Sequence, residues 1–174
     1  MSKPPPSPTH PISDLIQSRW SPRAFAQTAI GWPVLSSLLE AARWAASCFN
    51  AQPWRFVAAD RDDTEDFARL LSCLVEGNQS WAKDAGALIL TFAQSNFEHN
   101  DKPNAHAWHD VGLAVGQLTV EASTRGLYLH QMAGIDKAQI AAQLNVPAGL
   151  GPVTGIAVGR RGDASGRPDA LRER

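Results

Sequence analysis

Two guanidinium groups and a hydroxyl lie close together near the start of this sequence. The segment "SRWSPRAF" (18–25) places Arg19 and Arg23 four residues apart, with Ser21 between them. Such a group can clamp a phosphate, because the planar fork of arginine offers paired hydrogen-bond donors. The pattern alone is weak, since a solvated basic turn is the commoner explanation.

A second polar segment, "SCFNAQPWRF" (47–56), combines small side chains, amides and two large aromatic residues. Ser47, Asn50 and Gln52 offer donors and acceptors that could bind the polar edge of a flat heterocycle. Asn78 lies just before a predicted buried strand. Ala133–Gly134 follows another predicted strand, and its backbone N–H groups can face a ligand because no large side chain shields them.

Metal binding and nucleophilic catalysis are the two alternatives to ligand binding. His106, His109 and Asp110, with His99 upstream, bring metal-ligand types together, and the i, i+3 spacing puts the two nearest histidines on one helix face. No second cluster completes a tetrahedral shell, so a polar helix start is the preferred interpretation and no metal site is predicted. Cys48 has no base nearby in sequence, which favours packing over nucleophilic catalysis.

The elements that must position these residues alternate between helical and strand patterns. Helices are predicted around 33–45, 63–75, 105–126 and 136–144, and strands at 54–60, 86–93, 127–132 and 153–160. The run "GALILTFA" is apolar throughout, which is typical of a strand that is buried on both faces. Helices mixed with about four strands indicate a layered α+β or α/β domain.

The longest predicted helix carries two glycines, Gly112 and Gly116, four residues apart on one face. Each costs roughly 1 kcal/mol relative to alanine inside a helix, so a packing reason is expected. Without β-carbons on that face, another backbone can approach closely. The partner is either a helix of the same chain or a helix of a second subunit.

Length and composition indicate one ordinary globular domain, here taken as 12–174, preceded by a disordered proline-rich arm at 1–11. The formal charge of −1 argues against a nucleic-acid or anionic-membrane partner. Two isolated cysteines favour a reducing, cytoplasmic location. No apolar run approaches the roughly 20 residues that span a bilayer.

Five segments together resemble the nitroreductase family of flavoproteins. In family order they are "RWSPRAF", "AASCFNAQPWRF", "NQSWAKDAGALIL", "WHDVGLAVGQLTVEASTRGLYLHQMAGID" and "GIAVG", and they span about 12–160. The resemblance implies an α+β three-layer fold, with a central mixed β-sheet flanked by helices, in an intertwined homodimer that binds FMN at each of two subunit interfaces. It also implies reduction of FMN by NADH or NADPH, followed by ping-pong transfer to nitroaromatics, quinones or similar small-molecule acceptors.

The same resemblance assigns three groups of residues to FMN. The group at the phosphate and pyrimidine edge is Arg19, Trp20, Ser21 and Arg23, with Trp20 contributing mainly backbone contacts. The group that reaches the flavin from the other subunit is Ala46, Ser47, Cys48 and Asn50. The group at the isoalloxazine is Asn78, which hydrogen-bonds the ring, and the strand-end turn Met132, Ala133 and Gly134, whose N–H groups approach N5. No side chain has to act as acid or base, so none is predicted to be catalytic.

Three features depart from the family pattern. The basic tail that closes over the phosphate is missing from a sequence that ends in "PDALRER", and Arg160, Arg161 or Arg167 could replace its charge, with Arg161 as the candidate. The 94–107 region, which shapes substrate access in the family, is short. Ala133 stands where several relatives carry glutamate. These departures leave a non-catalytic or flavin-storage FMN-binding protein as the alternative function.

Overall fold

The computed structural model describes residues 7–165, so the first six residues of the predicted arm and Arg167 lie outside it. Its centre is a four-stranded sheet in the order β1-β2-β4-β3. The strands are β1 (Trp54–Asp60), β2 (Ala87–Gln94), β3 (Tyr128–Met132) and β4 (Leu150–Gly159). All four predicted strands are therefore confirmed.

Six α-helices accompany the sheet within residues 7–165. All four predicted helices are present, together with two short ones that the sequence pattern does not indicate, Asp14–Gln17 and Glu76–Ala82. The helices are α1 (Asp14–Gln17), α2 (Trp32–Arg43), α3 (Thr64–Ser72), α4 (Glu76–Ala82), α5 (Ala107–Thr124) and α6 (Lys137–Gln143), with a single 3₁₀ turn at Cys48–Asn50. Within residues 7–165, no helix has the length and apolarity needed to cross a bilayer.

Two helical layers enclose the sheet, which confirms the three-layer α+β fold. Strand β2 alternates between them as a period-two pattern requires. Ile89 packs in the cluster of the α2/α5 layer, while Leu88 and Leu90 pack in the cluster of the α3/α4/α6 layer. Because both faces of β2 are covered, its sequence is apolar throughout.

The expectation of a mixed sheet is wrong for the described part of the chain. All three strand pairings there are antiparallel, including β2 with β4, where Ile89 lies opposite Ile156. A continuous apolar run reports burial on two faces, and it carries no information on strand direction.

The glycines of α5 lie on its outer, exposed face. A β-carbon at Gly112 or Gly116 would have no neighbour within 4 Å other than the adjacent backbone of α5. Packing against a helix of the same chain is therefore excluded within residues 7–165. Trp108 and Val120 extend the same row and are 56% and 43% exposed. We call Trp108, Gly112, Gly116 and Val120 the outer row of α5.

Candidate functional site

The first predicted segment surrounds a small cavity. Arg19, Trp20, Ser21 and His130 line a space of about 230 Å³. The Arg19 guanidinium donates from Nη1 to Ser21 Oγ at 3.1 Å. Arg19 and Ser21 therefore lie side by side at a concave surface, as binding of a phosphate or another polar group would require.

His130, on β3, also lines this cavity, although no sequence pattern indicates a site residue there. Its Nδ1 lies 3.0 Å from the carbonyl oxygen of Pro22. Because a carbonyl can only accept, Nδ1 carries the hydrogen. The imidazole also packs on Trp81, with ring centroids 4.6 Å apart. These contacts hold the end of the 19–23 segment against the sheet.

Arg23 takes a different position from Arg19. Its guanidinium carbon lies 5.9 Å from the centroid of the Trp81 ring, in cation–π geometry. Trp81 is 1% exposed and also stacks on Phe25. The two arginines therefore have different positions. Arg19 lines the cavity, and Arg23 covers the buried indole of Trp81.

Asn78 and Gly134, 56 residues apart in sequence, are brought into direct contact. Asn78 lies in α4 and not in the loop before β2, and its Nδ2 donates to the Gly134 carbonyl at 2.9 Å. The N–H of Val75 donates to the same oxygen at 3.1 Å. A β-carbon at Gly134 would lie 2.6 Å from Asn78 Nδ2. Alanine at this turn would force the Asn78 amide and the Val75 methyl group to shift. The turn directly follows the last residue of β3, the buried Met132.

Residues 46–52, which we call the strained loop, have an unusual backbone. Phe49, Asn50 and Gln52 all have positive φ, at 52°, 53° and 46°. Left-handed backbone is uncommon for residues other than glycine, and such strain concentrates at functional sites. Ser47 Oγ accepts the N–H of Gln52 at 3.0 Å, and Asn50 Oδ1 accepts from Gln52 Nε2 at 3.2 Å. The polar groups therefore stabilise the loop, while the Phe49 side chain is displayed, 85% exposed.

The Asp110 carboxylate anchors the strained loop to α5. Its Oδ2 accepts the N–H of Cys48 at 2.9 Å, and its Oδ1 lies 3.0 Å from His109 Nδ1. Both oxygens are engaged within the protein, and residues 7–165 contain no group of three side chains placed to hold a metal ion. In the structure, the Asp110 carboxylate binds the backbone N–H of Cys48.

The two thiols are in different environments. Cys73 is fully buried, and desolvation raises the pKa of its thiol, which keeps it in the unreactive protonated form at neutral pH. Cys48 is half-buried in the strained loop.

Arg160 and Arg161 diverge at the end of β4. Arg161 forms an antiparallel bridge with Phe25, so their side chains share a face. Arg160 instead lines a separate cavity with Arg125 and Leu127. Of the two, Arg161 is therefore the one beside the 19–25 segment.

The candidate residues form two separate groups within one chain. Arg19, Asn78 and Gly134 belong to the side of the α3/α4/α6 layer, whereas the strained loop is attached to α5 in the other layer. Across residues 7–165, no hydrogen bond joins the strained loop to Arg19, Asn78 or Gly134. We call Arg19, Ser21, Asn78 and Gly134 the β3 half-site, and Ser47–Asn50 of the strained loop the loop half-site.

Comparison with known proteins gives consistent results. A protein of Mycolicibacterium smegmatis, described as an uncharacterised 15.4 kDa protein, is 40% identical over 116 residues, which is 67% of this chain and 76% of that protein. A putative NADH dehydrogenase/NAD(P)H nitroreductase of Xanthomonas oryzae pv. oryzae is 26% identical over 150 residues, 75% of each chain.

The structural likeness is stronger. The crystal structure of an oxidoreductase containing FMN superposes with a TM-score of 0.90 at 36% identity, over 99% of this chain and 88% of that one. The profile of the nitroreductase family matches residues 16–160, which include both half-sites. The chain therefore belongs to the nitroreductase family.

Proposed function

We propose that this protein is an FMN-dependent oxidoreductase that takes electrons from NADH or NADPH and reduces nitroaromatic, quinone or similar acceptors. The observation that carries the proposal is the β3 half-site, where residues from three distant segments meet around β3. Family membership and the FMN-containing relative support the cofactor. The name of the Xanthomonas relative supports the electron donor.

The residues of the β3 half-site fit FMN in chemistry and shape. Arg19 and Ser21 supply a cation and a hydroxyl at a concave surface, the donors that a phosphate or a pyrimidine edge needs. The cavity of about 230 Å³ is smaller than the roughly 300–1,000 Å³ of complete ligand sites, as a partial site would be. At Gly134 the missing β-carbon lets the Asn78 amide pack against the backbone, which fixes the turn at the end of β3.

The proposal includes a homodimer, because each chain carries two half-sites that it does not join. The outer row of α5 supports this assembly, since its two glycines permit close helix approach and its apolar ends are exposed. Leu15 and Ile16 of α1, which contacts α5, add further exposed apolar surface. Apolar patches of this kind mark interaction sites. In the dimer, the loop half-site of one subunit would complete the β3 half-site of its partner.

When bound, FMN would supply the redox chemistry by accepting a hydride from the nicotinamide and passing electrons to the acceptor. The chain would bind and orient the cofactor. Arg19 and Arg161 would neutralise the phosphate, Ser21 would donate a hydrogen bond to it, and Asn78 would fix the turn at Gly134. The Asn50 amide would face the polar edge of the ring. No protein side chain has to exchange a proton with the substrate.

The test is an anaerobic absorption spectrum of the purified protein before and after addition of NADH or NADPH. We expect a yellow protein that releases FMN on denaturation and is bleached by at least one of the two nucleotides. Restoration of the yellow colour by a quinone would complete the cycle.

Two outcomes would contradict the proposal in different ways. A colourless protein that stays colourless after incubation with excess FMN would remove the cofactor. A bound flavin that neither nucleotide bleaches would identify a non-catalytic or storage protein.

A further inference from the structure

The strained loop has an energetic cost that something else in the protein must offset. Each left-handed residue other than glycine costs roughly 1–2 kcal/mol, and the loop has three such residues within four positions. Its internal hydrogen bonds link Ser47, Asn50 and Gln52 to one another. Those bonds fix the shape of the loop but do not determine where the loop sits on the protein.

Asp110 supplies the missing external support. The residue is 2% exposed, and its Oδ2 accepts the Cys48 N–H, 62 residues earlier in the chain. A buried carboxylate is costly unless it is hydrogen-bonded, and bonds to an ionised acceptor are among the stronger ones in proteins. The bond is therefore well suited to hold one loop position firmly.

The helix that carries Asp110 also carries the outer row. Asp110 is on the buried side of α5, and Gly112 and Gly116 follow on the exposed side of the same rigid element. One helix thus relates the position of the strained loop to the surface that would meet the second subunit.

We infer that Asp110 is a positioning residue for the cofactor. It holds Cys48, and with it Ser47–Asn50, at a fixed height on α5, and so sets how the loop half-site meets FMN in the partner subunit. This inference rests on the proposed function. Asp110 is buried and both of its oxygens are engaged, by Cys48 and His109, so it acts on the site through the loop.

The experiment compares Asp110→Ala, which removes the acceptor, with Asp110→Asn, which keeps an oxygen for the Cys48 N–H but loses the charge. The matched control is Asp60→Ala. Asp60 is also a residue that is 2% exposed, and its carboxylate accepts the backbone N–H groups of Ile30, Gly31 and Asp62 at 3.2, 2.7 and 3.1 Å near the start of α2. Both alanine variants remove a buried backbone acceptor, but only one of them does so at the strained loop.

Four quantities are measured for each variant: thermal stability, FMN affinity, reduction potential of bound flavin, and its rate of reduction by NADH or NADPH at saturating FMN. Both alanine variants should lower stability. Asp110→Ala should weaken FMN binding about tenfold, because the released loop must be ordered again when the flavin binds, and should shift the potential and slow reduction. Asp60→Ala should leave the potential and the reduction rate of loaded protein unchanged, and Asp110→Asn should restore most of the FMN affinity.

A cofactor-free measurement keeps the inference testable if Asp110→Ala folds poorly. Hydrogen exchange at the Cys48 amide should stay slow in Asp110→Asn and become fast in Asp110→Ala. The inference is overturned if wild type binds FMN and fully loaded Asp110→Ala matches its potential and rate, or if Asp60→Ala changes them equally. It is also overturned if Asp110→Asn is as impaired as Asp110→Ala. If wild type does not bind FMN, the proposed function itself fails.

Discussion

Single residues divide the proposed cofactor site into positions that bind the phosphate and positions that place the ring. Arg19 is at the binding end, because its guanidinium lines the cavity beside Ser21. Gly134 is at the placing end, because Asn78 fixes its carbonyl and occupies the space that a β-carbon would need. Substitutions at the two ends should therefore have different consequences.

Arg19→Ala should weaken FMN binding and leave the chemistry of bound flavin almost unchanged. Losing a hydrogen bond to a charged group costs roughly 1.5–3 kcal/mol, which is about tenfold or more in affinity. Turnover per bound flavin should stay within about twofold of wild type, because the ring would sit as before. Fluorescence titration and anaerobic stopped-flow reduction measure the two effects. Arg69→Ala, which breaks an exposed ion pair with Asp66 on α3, is the control and should change neither.

Gly134→Ala should disturb the turn after β3. Its β-carbon would lie 2.6 Å from Asn78 Nδ2, so the amide must move and its bond to the Gly134 carbonyl must weaken. We expect a loss of about 1–3 kcal/mol in folding stability and a slower reduction of bound FMN. Urea unfolding and stopped-flow absorbance report the two quantities.

Gly77→Ala is the matched control for that variant. Gly77 adjoins Asn78 in α4, and a β-carbon there would meet no atom within 4 Å. Because alanine is the better helix former, this variant should be as stable as wild type or up to about 1 kcal/mol more stable. Equal stability and equal flavin reduction in both variants would mean that the Asn78–Gly134 contact has no role.

At the scale of elements, the strongly periodic segments were predictable and the short ones were not. Helix α5 carries an apolar stripe along its length, so the sequence indicates it clearly. Helix α4 has only the sequence "EGNQSWA", whose Gly, Asn and Ser are weak helix formers. It is stabilised instead by tertiary packing of Trp81 beneath Phe25, which spacing along the chain does not reveal.

The same limit explains why the sequence does not assign His130 and Asp110 to the site. His130 meets the segment at Pro22 across 108 residues, and Asp110 meets Cys48 across 62. The sequence indicates only a short strand around His130, and it suggests Asp110 only as a metal ligand. The period-two pattern of β3 offered the one available signal, because it puts His130 on the same face as Met132.

The outer row of α5 leads to a prediction at this scale. Gly116→Leu should leave the subunit fold intact, because the position is exposed, a β-carbon there would have no neighbour within 4 Å beyond the local helix backbone, and leucine is a better helix former. In the proposed dimer the same side chain would overpack the interface, at a cost of about 1–3 kcal/mol or more. Dimer and FMN should therefore be lost together, as measured by light scattering and flavin absorbance.

Gly77→Leu controls for adding a leucine at an exposed helical glycine away from α5. It should remain dimeric and yellow. A monomeric Gly116→Leu that still binds FMN at wild-type affinity would refute the shared site.

At the scale of the whole molecule, a site divided between two subunits would couple FMN binding to dimer formation. If each FMN is held by the β3 half-site of one subunit and the loop half-site of the other, FMN binds the dimer much better than the monomer. A ligand that prefers one state stabilises that state by mass action. Dimer formation must then raise the affinity for FMN by the same factor by which FMN raises the affinity of the subunits for each other.

This linkage predicts that FMN affinity depends on protein concentration. Dilution below the dimer dissociation constant should weaken the apparent FMN affinity, and excess FMN should shift dissociation to lower protein concentration. Excess FMN should also raise the melting temperature, with about 2.7 kcal/mol of added stability at one hundred times the dissociation constant. Arg19→Ala should keep the concentration dependence at a weaker overall affinity, whereas Gly116→Leu should abolish it. Fluorescence titrations at several protein concentrations, with sedimentation velocity on the same samples, make the measurement. An FMN affinity that stays constant from well above to well below the dimer dissociation constant would mean that one subunit holds the flavin alone.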